Sequence, residues 1–121
     1  MATLTVGLTL SSSDASADVL SLSLSDSLTV GAPSIGVSRV SVATTGQENI
    51  LTTAGNTGIS YVYVRNTDST NIIVLKADDG TAVMDLSPGE FAFLPLKGGV
   101  GLEATAVTAA CVLEYAYWSK S

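Results

Sequence analysis

Four aspartates are the first residues in this sequence whose types and spacing could do chemistry. Asp78, Asp79 and Asp85 surround one predicted turn, and Asp68 lies in the loop before it. Loop carboxylates of this kind can bind Ca²⁺, although their spacing matches no calcium-binding loop. The alternative is that Asp78 and Asp79 shape the turn and keep the surface hydrated. We predict no metal site.

Two glutamates, Glu103 and Glu114, could in principle act as an acid and base pair. Glycoside hydrolysis uses two carboxylates in this way. Each glutamate, however, occupies a polar position of an alternating segment, where a solvent-facing side chain is expected. No aromatic-lined cleft is evident around either one, and we therefore predict that the protein is not an enzyme.

Nucleophilic catalysis lacks its usual base, because the chain contains no His. A Ser–His–Asp triad and histidine-based zinc sites are therefore excluded. Cys111 is the single cysteine and lies in the apolar run AVTAACVLEY, which predicts a buried thiol rather than a nucleophile. The glycines of KGGVG lack the order of a phosphate-binding loop. No cofactor is predicted.

Aromatic side chains form the more informative group. The segment YVYVR places two tyrosines on one face of a strand, and EYAYW does the same near the end of the chain. If these strands pair, the tyrosines form a ladder that contributes about 0.2–1 kcal/mol for each cross-strand pair. Packing in a core or an interface is favoured over sugar stacking. The candidate interface residues here are Tyr61, Tyr63, Tyr115, Tyr117 and Trp118.

Charge and hydropathy limit the partners. The 121 residues include eleven Asp and Glu but only five Lys and Arg, which gives a net charge of −6. Scattered cations are a poor match for a nucleic-acid backbone. No signal peptide and no membrane helix are predicted, so synthesis in a cytoplasm is expected. The mean hydropathy of +0.44 is high for so small a chain, and surplus apolar surface usually marks an interface.

The elements that must position these residues have the pattern of β-strands. Ser, Thr, Val and Gly dominate, and turn-forming clusters separate the alternating segments. This pattern predicts an all-β, antiparallel sandwich or barrel of about eight short strands in a single domain, residues 1–121. The predicted strands cover residues 3–10, 19–30, 35–44, 59–66, 71–77, 82–87, 90–96, 100–106 and 111–118.

Two turns are well specified by their residues. Asp79-Gly80 lies between two apolar runs and predicts a tight hairpin. Pro88-Gly89 suits the central positions of a type II turn. Together they predict a meander of three consecutive paired strands over residues 71–96.

The segment VLSLSLSDSLTV, residues 19–30, alternates more regularly than any other. Asp26 is the exception, because it places a carboxylate on the leucine face. An inward charge can protect an edge strand from foreign pairing. We favour another explanation, in which the strand changes sheet or subunit at Asp26, and we expect the Ser/Thr-rich region 1–45 to make inter-subunit contacts. The candidate interface residues on this strand are Leu20, Leu22, Leu24, Asp26 and Leu28.

Three segments carry a resemblance to a known group: YVYVRNTDSTNIIVL, LSPGEFAFLPLKGGVGLEATA and AACVLEYAYW. Over roughly residues 59–118 the chain resembles small all-β virion structural proteins of tailed bacteriophages, especially marine and cyanobacterial ones. The resemblance implies location in a virion and no catalytic residues. Within it, a jelly-roll sandwich is the expected architecture.

The function expected from this resemblance is capsid decoration, also called cement. Such a protein binds the major capsid protein or other virion proteins and stabilises the head. A homo-oligomer, for cement a trimer, is the expected state. The alternative is a receptor- or carbohydrate-recognition module on a head fibre or tail, which would use Tyr and Trp as stacking surfaces.

Overall fold

A computed structural model describes residues 2–31, 36–52, 56, 58 and 60–120. Its ten strands form three antiparallel sheets, and the described residues contain no helix, which confirms the all-β prediction. Two predicted strands begin at Ile35 and Ile59, which lie outside the described residues. The strands are β1 (Ala2–Ser12), β2 (Leu20–Val30), β3 (Ser38–Val42), β4 (Glu48–Leu51), β5 (Ser60–Asn66), β6 (Ile73–Ala77), β7 (Ala82–Leu86), β8 (Phe91–Leu96), β9 (Leu102–Ala106) and β10 (Cys111–Ser119).

The chain divides into two compact units, and the first, residues 1–32, contains the hairpin of β1 and β2. These strands pair in one continuous register from Ala2 opposite Val30 to Ser12 opposite Leu20. Residues directly opposite each other project to the same side. One side of the hairpin therefore carries leucines from both strands, and the other carries Ser and Thr.

The prediction that the chain changes sheet or subunit at Asp26 is wrong. Asp26 lies opposite Val6 in the middle of β2, and the pairing continues on both sides of it. Its side chain is exposed, and its Oδ1 accepts a hydrogen bond of 2.8 Å from the Ser27 N–H. Because water reaches the carboxylate, its charge does not require a break in the strand.

The second unit, residues 33–120, is a sandwich of two four-stranded sheets, β3-β10-β5-β8 and β4-β9-β6-β7. Strand β3 pairs with β10, β4 with β9, β5 with β8 and β6 with β7. Successive pairs of this long, rolled hairpin fall in alternate sheets. The connectivity is that of a jelly roll, as predicted.

Aliphatic side chains fill the space between the two sheets. The side chains with no exposed surface include Val42, Val62, Val64, Ile73, Leu75 and Leu113. Cys111 belongs to the same cluster, and its burial raises the pKa of its thiol. The cysteine is therefore a core side chain, as its apolar surroundings in the sequence predict.

The two predicted turns form, but the meander does not. At the first, the Gly80 N–H donates to the Ala77 carbonyl at 2.9 Å, and β6 pairs with β7. At the second, the Glu90 N–H donates to the Ser87 carbonyl at 2.9 Å, and Gly89 has a φ of 80°, as a type II turn requires. The chain then crosses to the other sheet, so β7 and β8 do not pair.

Asn66, the last residue of β5, forms hydrogen bonds with the connection that carries the chain from β7 to β8. Its side chain is fully buried, and its Nδ2 donates to the carbonyls of Asn71 and Leu86 at 2.8 and 2.9 Å. Its backbone carbonyl accepts from the Gly89 N–H at 3.0 Å. One amide group therefore satisfies carbonyls from two separate connections, which the alternation of apolar residues does not reveal.

Strand β4 was not predicted. It has only four residues, and its register against β9 shifts between Asn49 and Leu51. A bulge of this kind interrupts the two-residue period on which strand prediction depends.

Candidate functional site, an aromatic sheet face

The outward side of the β3-β10-β5-β8 sheet carries five of the seven aromatic side chains of the chain. Strand β5 buries Val62 and Val64 in the core, so Tyr61 and Tyr63 project from the opposite side. Residues of β8 and β10 that lie opposite these positions project to the same side. We call this surface the aromatic face; it comprises Tyr61, Tyr63, Phe91, Phe93, Pro95 and Trp118.

The rings of the aromatic face contact one another. Tyr61 and Phe93 stack with centroids 5.9 Å apart and planes inclined by 14°, and Trp118 lies 6.5 Å from Phe93. The Lys120 Nζ lies 5.4 Å from the centre of the Tyr61 ring, within the range of a cation–π interaction. Tyr61 is buried as a result of these contacts, whereas Phe91, at the edge strand β8, remains 68% exposed.

A charged cluster adjoins the rings. The Glu114 Oε1 accepts a hydrogen bond of 2.7 Å from the Tyr63 hydroxyl, and its Oε2 accepts one of 3.1 Å from the Arg39 Nε. The hydrogen bond from Tyr63, and next the one from Arg39, hold the pKa of Glu114 below its ordinary value. Partial burial, followed by the bond to Glu114, raises the pKa of Tyr63. The cluster thus fixes the Tyr63 ring on the sheet.

The charge on this side is opposite to that of the whole chain. Arg39 and Arg65 flank Glu114 in the strand register, and Lys120 covers Tyr61. Three of the five cations of the chain therefore lie around the aromatic face, and Glu114 is the one acidic residue on its four strands. The face is locally positive although the chain carries a net charge of −6.

The outward side of the other sheet is an ordinary polar surface. Lys76 lies opposite Glu103, and Val74 lies opposite Asp85. Val83, on the edge strand β7, is 58% exposed, and the paired strand β6 contains no aromatic residue. The two outward sides therefore differ in composition, and the aromatic one is the candidate site.

The predicted tyrosine ladder is wrong, although the strands pair as expected. The register places Tyr115 opposite Val64 and Tyr117 opposite Val62, on the side that faces the core. Both tyrosines pack against the buried cluster. Of the five predicted aromatic residues, Tyr61, Tyr63 and Trp118 thus share the outward side. Tyr115 and Tyr117 lie on the core-facing side of the same sheet.

Phe91 and Phe93 are part of the face but were not among the predicted interface residues. The segment FAFLP has the required signal, because its apolar residues at alternate positions are matched by Tyr61 and Tyr63 on the paired strand. These residues can be assigned to the aromatic face only once β8 is known to pair with β5 and not with β7, its neighbour in sequence.

The predicted interface residues of β2 all project from the leucine side of the hairpin. Leu22 and Leu24 are 40% and 51% exposed, and Leu20 and Leu28 are half-buried. Asp26 lies among them, opposite Val6. They belong to the first unit and form a surface of their own.

Of the four aspartates considered for calcium, Asp68 and Asp79 accept hydrogen bonds within their own loops, and Asp85 lies on strand β7. The Asp68 Oδ2 accepts hydrogen bonds from the N–H groups of Thr70 and Asn71 at 2.9 and 2.7 Å, which lower the pKa of Asp68. The Asp79 Oδ1 accepts one of 2.8 Å from the Thr81 N–H. Across the part of the chain that the structure describes, no group of three or more side chains could hold a metal ion.

Glu103 and Glu114 do not form an acid and base pair. Glu114 projects from the aromatic face, whereas Glu103 projects from the outward side of the other sheet, opposite Lys76. The core of the sandwich lies between them, so they cannot flank one bond of a substrate.

Comparison with protein-family models, with curated proteins and with solved structures finds no match for this chain. Within the described residues there is no helix long and apolar enough to cross a membrane. The fold and the face together define a small jelly-roll protein with a stacked aromatic surface bordered by cations. Residues of these kinds are enriched in protein interfaces.

Proposed function

We propose that the protein is a non-enzymatic virion structural protein of a tailed bacteriophage. It decorates the capsid by binding the major coat protein through the aromatic face. The observation that carries the proposal is the outward exposure of Phe91 beside a stacked cluster of Tyr61, Phe93 and Trp118. Burial of an exposed aromatic side chain in a complex contributes a large favourable free energy to binding.

The composition of the face fits a protein partner. Interfaces are enriched in Tyr, Trp, Phe and Arg, and their energetic centres are aromatic side chains surrounded by polar groups. Here the rings lie on β10, β5 and β8, with Arg65 opposite Phe91 and Arg39 opposite Glu114. The complementary surface on the coat protein is apolar at its centre and carries carboxylates around it.

Two further points support a role in a virion. The jelly roll is a fold that viral capsid proteins use repeatedly, although the fold alone does not define a function. The sequence resemblance over residues 59–118 covers the strands β5, β8 and β10 that build the aromatic face.

Carbohydrate recognition is the alternative, and the ring geometry favours it less. A sugar-stacking platform presents the flat side of a Tyr or Trp ring to solvent. Tyr61 is instead only 7% exposed, because Phe93 stacks on it and Lys120 lies over it.

The experiment that tests the proposal is reconstitution on heads that lack the protein. The purified chain is added to capsids assembled from the coat protein encoded in the same genome, and bound copies are counted after sedimentation. We expect many copies per head and greater resistance of the head to heat. Absence of binding to capsids, together with binding on a glycan array, would support the recognition module instead.

A further inference from the structure

The leucine side of the β1-β2 hairpin, in the first unit, is a second candidate contact surface. Its most exposed part consists of two adjacent cross-strand pairs, Leu8 opposite Leu24 and Leu10 opposite Leu22. Each of these four leucines is between 40% and 51% exposed. We call them the leucine quartet. They form a contiguous apolar patch, which in soluble chains usually marks a contact surface.

A hairpin of this length is poorly stable when its apolar side is open to water. Two-stranded sheets are marginal by themselves and need a packed layer against one side. Here eleven consecutive pairs form without a shift in register, and neither β1 nor β2 contains a Pro, Lys or Arg that would discourage association. The hairpin therefore has the form of a docking element.

We propose that the leucine quartet packs face to face against the quartet of a second copy of this chain. An identical quartet has the required shape and polarity, and two copies related by a two-fold axis cover each other completely. Unlike the trimer expected from the resemblance, this arrangement leaves no quartet for a third copy. The proposal does not depend on the function assigned to the aromatic face.

The charge of the hairpin favours a second copy of this chain over an anionic or a cationic partner. The hairpin unit contains three aspartates and no Lys or Arg, so it offers nothing to a nucleic acid or a phospholipid headgroup. Its leucine side carries only one of these charges, Asp26, which lies one pair beyond the quartet, opposite Val6. The leucine side therefore has no acidic cluster that could bind a cationic partner. A second leucine quartet can pack there without one.

Asp26 then marks the edge of the contact. At the rim of the packed area its carboxylate keeps its water, but a shift that moved it under leucines of the second copy would bury an unpaired charge. The charge of Asp26 therefore restricts the two regular leucine patterns to one register of packing between the copies. It also explains why a charge is tolerated in the middle of a continuous strand.

The area available sets the strength of the contact. Eleven pairs at about 3.4 Å per residue and two strands about 4.8 Å apart give the whole leucine side roughly 350 Å² per copy, and the contact covers less than this because it ends at Asp26. A tight complex covers about 800 Å² on each partner. We therefore expect a reversible dimer, whose population rises with concentration.

Sedimentation of the full chain from about 10 μM to about 1 mM tests the proposal. The wild-type chain should shift from monomer to dimer in this range. Leu24→Asp should weaken dimerisation at least tenfold, because it places a charge inside the quartet. Ser23→Asp is the matched control, since it adds the same charge to the same strand on the Ser/Thr side, and Phe91→Ser controls for the aromatic face. Both controls should dimerise like the wild type.

A second measurement locates the contact without adding a charge. In a Cys111→Ser background, Leu24→Cys should be joined between copies by a short bismaleimide, whereas Ser23→Cys should not. A monomeric wild-type chain at every concentration would overturn the proposal. So would equal weakening by Leu24→Asp and Ser23→Asp, which would indicate edge pairing or general repulsion. Loss of dimerisation in Phe91→Ser would assign the contact to the aromatic face instead.

Discussion

Replacing Phe91 by Ser should weaken the proposed binding to the coat protein without unfolding the chain. Phe91 is 68% exposed on the edge strand β8, so its loss leaves no cavity in the core. An aromatic side chain buries about 150–250 Å², and the exposed two thirds of this amount to about 130 Å². At about 25 cal/mol per Å² the lost burial corresponds to about 3 kcal/mol, or roughly a 100-fold increase in Kd.

The assay is equilibrium binding to heads that lack the protein, with bound and free chain separated by sedimentation. Val83→Ser is the matched control, because Val83 is 58% exposed on the outward side of the opposite sheet. It should leave Kd within about twofold, and both variants should unfold within about 0.5 kcal/mol of the wild type. If Phe91→Ser bound as tightly as Val83→Ser, the aromatic face would not be the contact surface.

Three further predictions concern the jelly roll itself. Asn66→Ala should lower the free energy of unfolding by about 2–4 kcal/mol in denaturant titration, because it leaves the buried carbonyls of Asn71 and Leu86 without their donor; a loss below about 1 kcal/mol would show that water replaces the amide. Gly98→Ala should destabilise the fold, since a Cβ there would overlap the Gly58 carbonyl, and Gly36→Ala, where a Cβ meets nothing within 4 Å, is its control in the same thermal unfolding experiment. Tyr63→Phe should raise the pKa of Glu114 towards its ordinary value, measured by carboxyl ¹³C NMR, because the tyrosine hydroxyl is the main cause of the lowered pKa. A carboxyl group whose pKa is lowered in the folded state stabilises that state at pH values above the pKa of the unfolded chain, and this stabilisation is lost as the pH falls through the folded-state pKa. The wild type should therefore lose more stability on acidification than Tyr63→Phe. Equal loss in the two chains would contradict this.

The architecture was accessible from sequence because alternation and turn residues are local signals. Pro88-Gly89 defined its turn correctly, and every strand except β4 was placed within a few residues. Pairing is not local. The same Pro-Gly turn can join two strands of one sheet or carry the chain between sheets, and here it crosses beside the buried Asn66, which bonds to Leu86 and Gly89.

The candidate site was predicted only in part for the same reason. Tyr61, Tyr63 and Trp118 could be singled out by residue type, but their side of the sheet depends on a register that the sequence does not reveal. A shift of one residue would have exchanged Tyr115 with its neighbours and produced a different face. Asp26 illustrates the opposite error, because a local exception to a pattern was interpreted as a change in topology.

The most direct test of the proposed role is a cryo-EM reconstruction of the virion that contains this chain. We predict jelly-roll density in many copies on the head, with the outward side of β10, β5 and β8 packed against the coat protein and Phe91 buried in the contact. A reconstruction in which this face points to solvent, or in which the chain is absent from the head, would contradict the account.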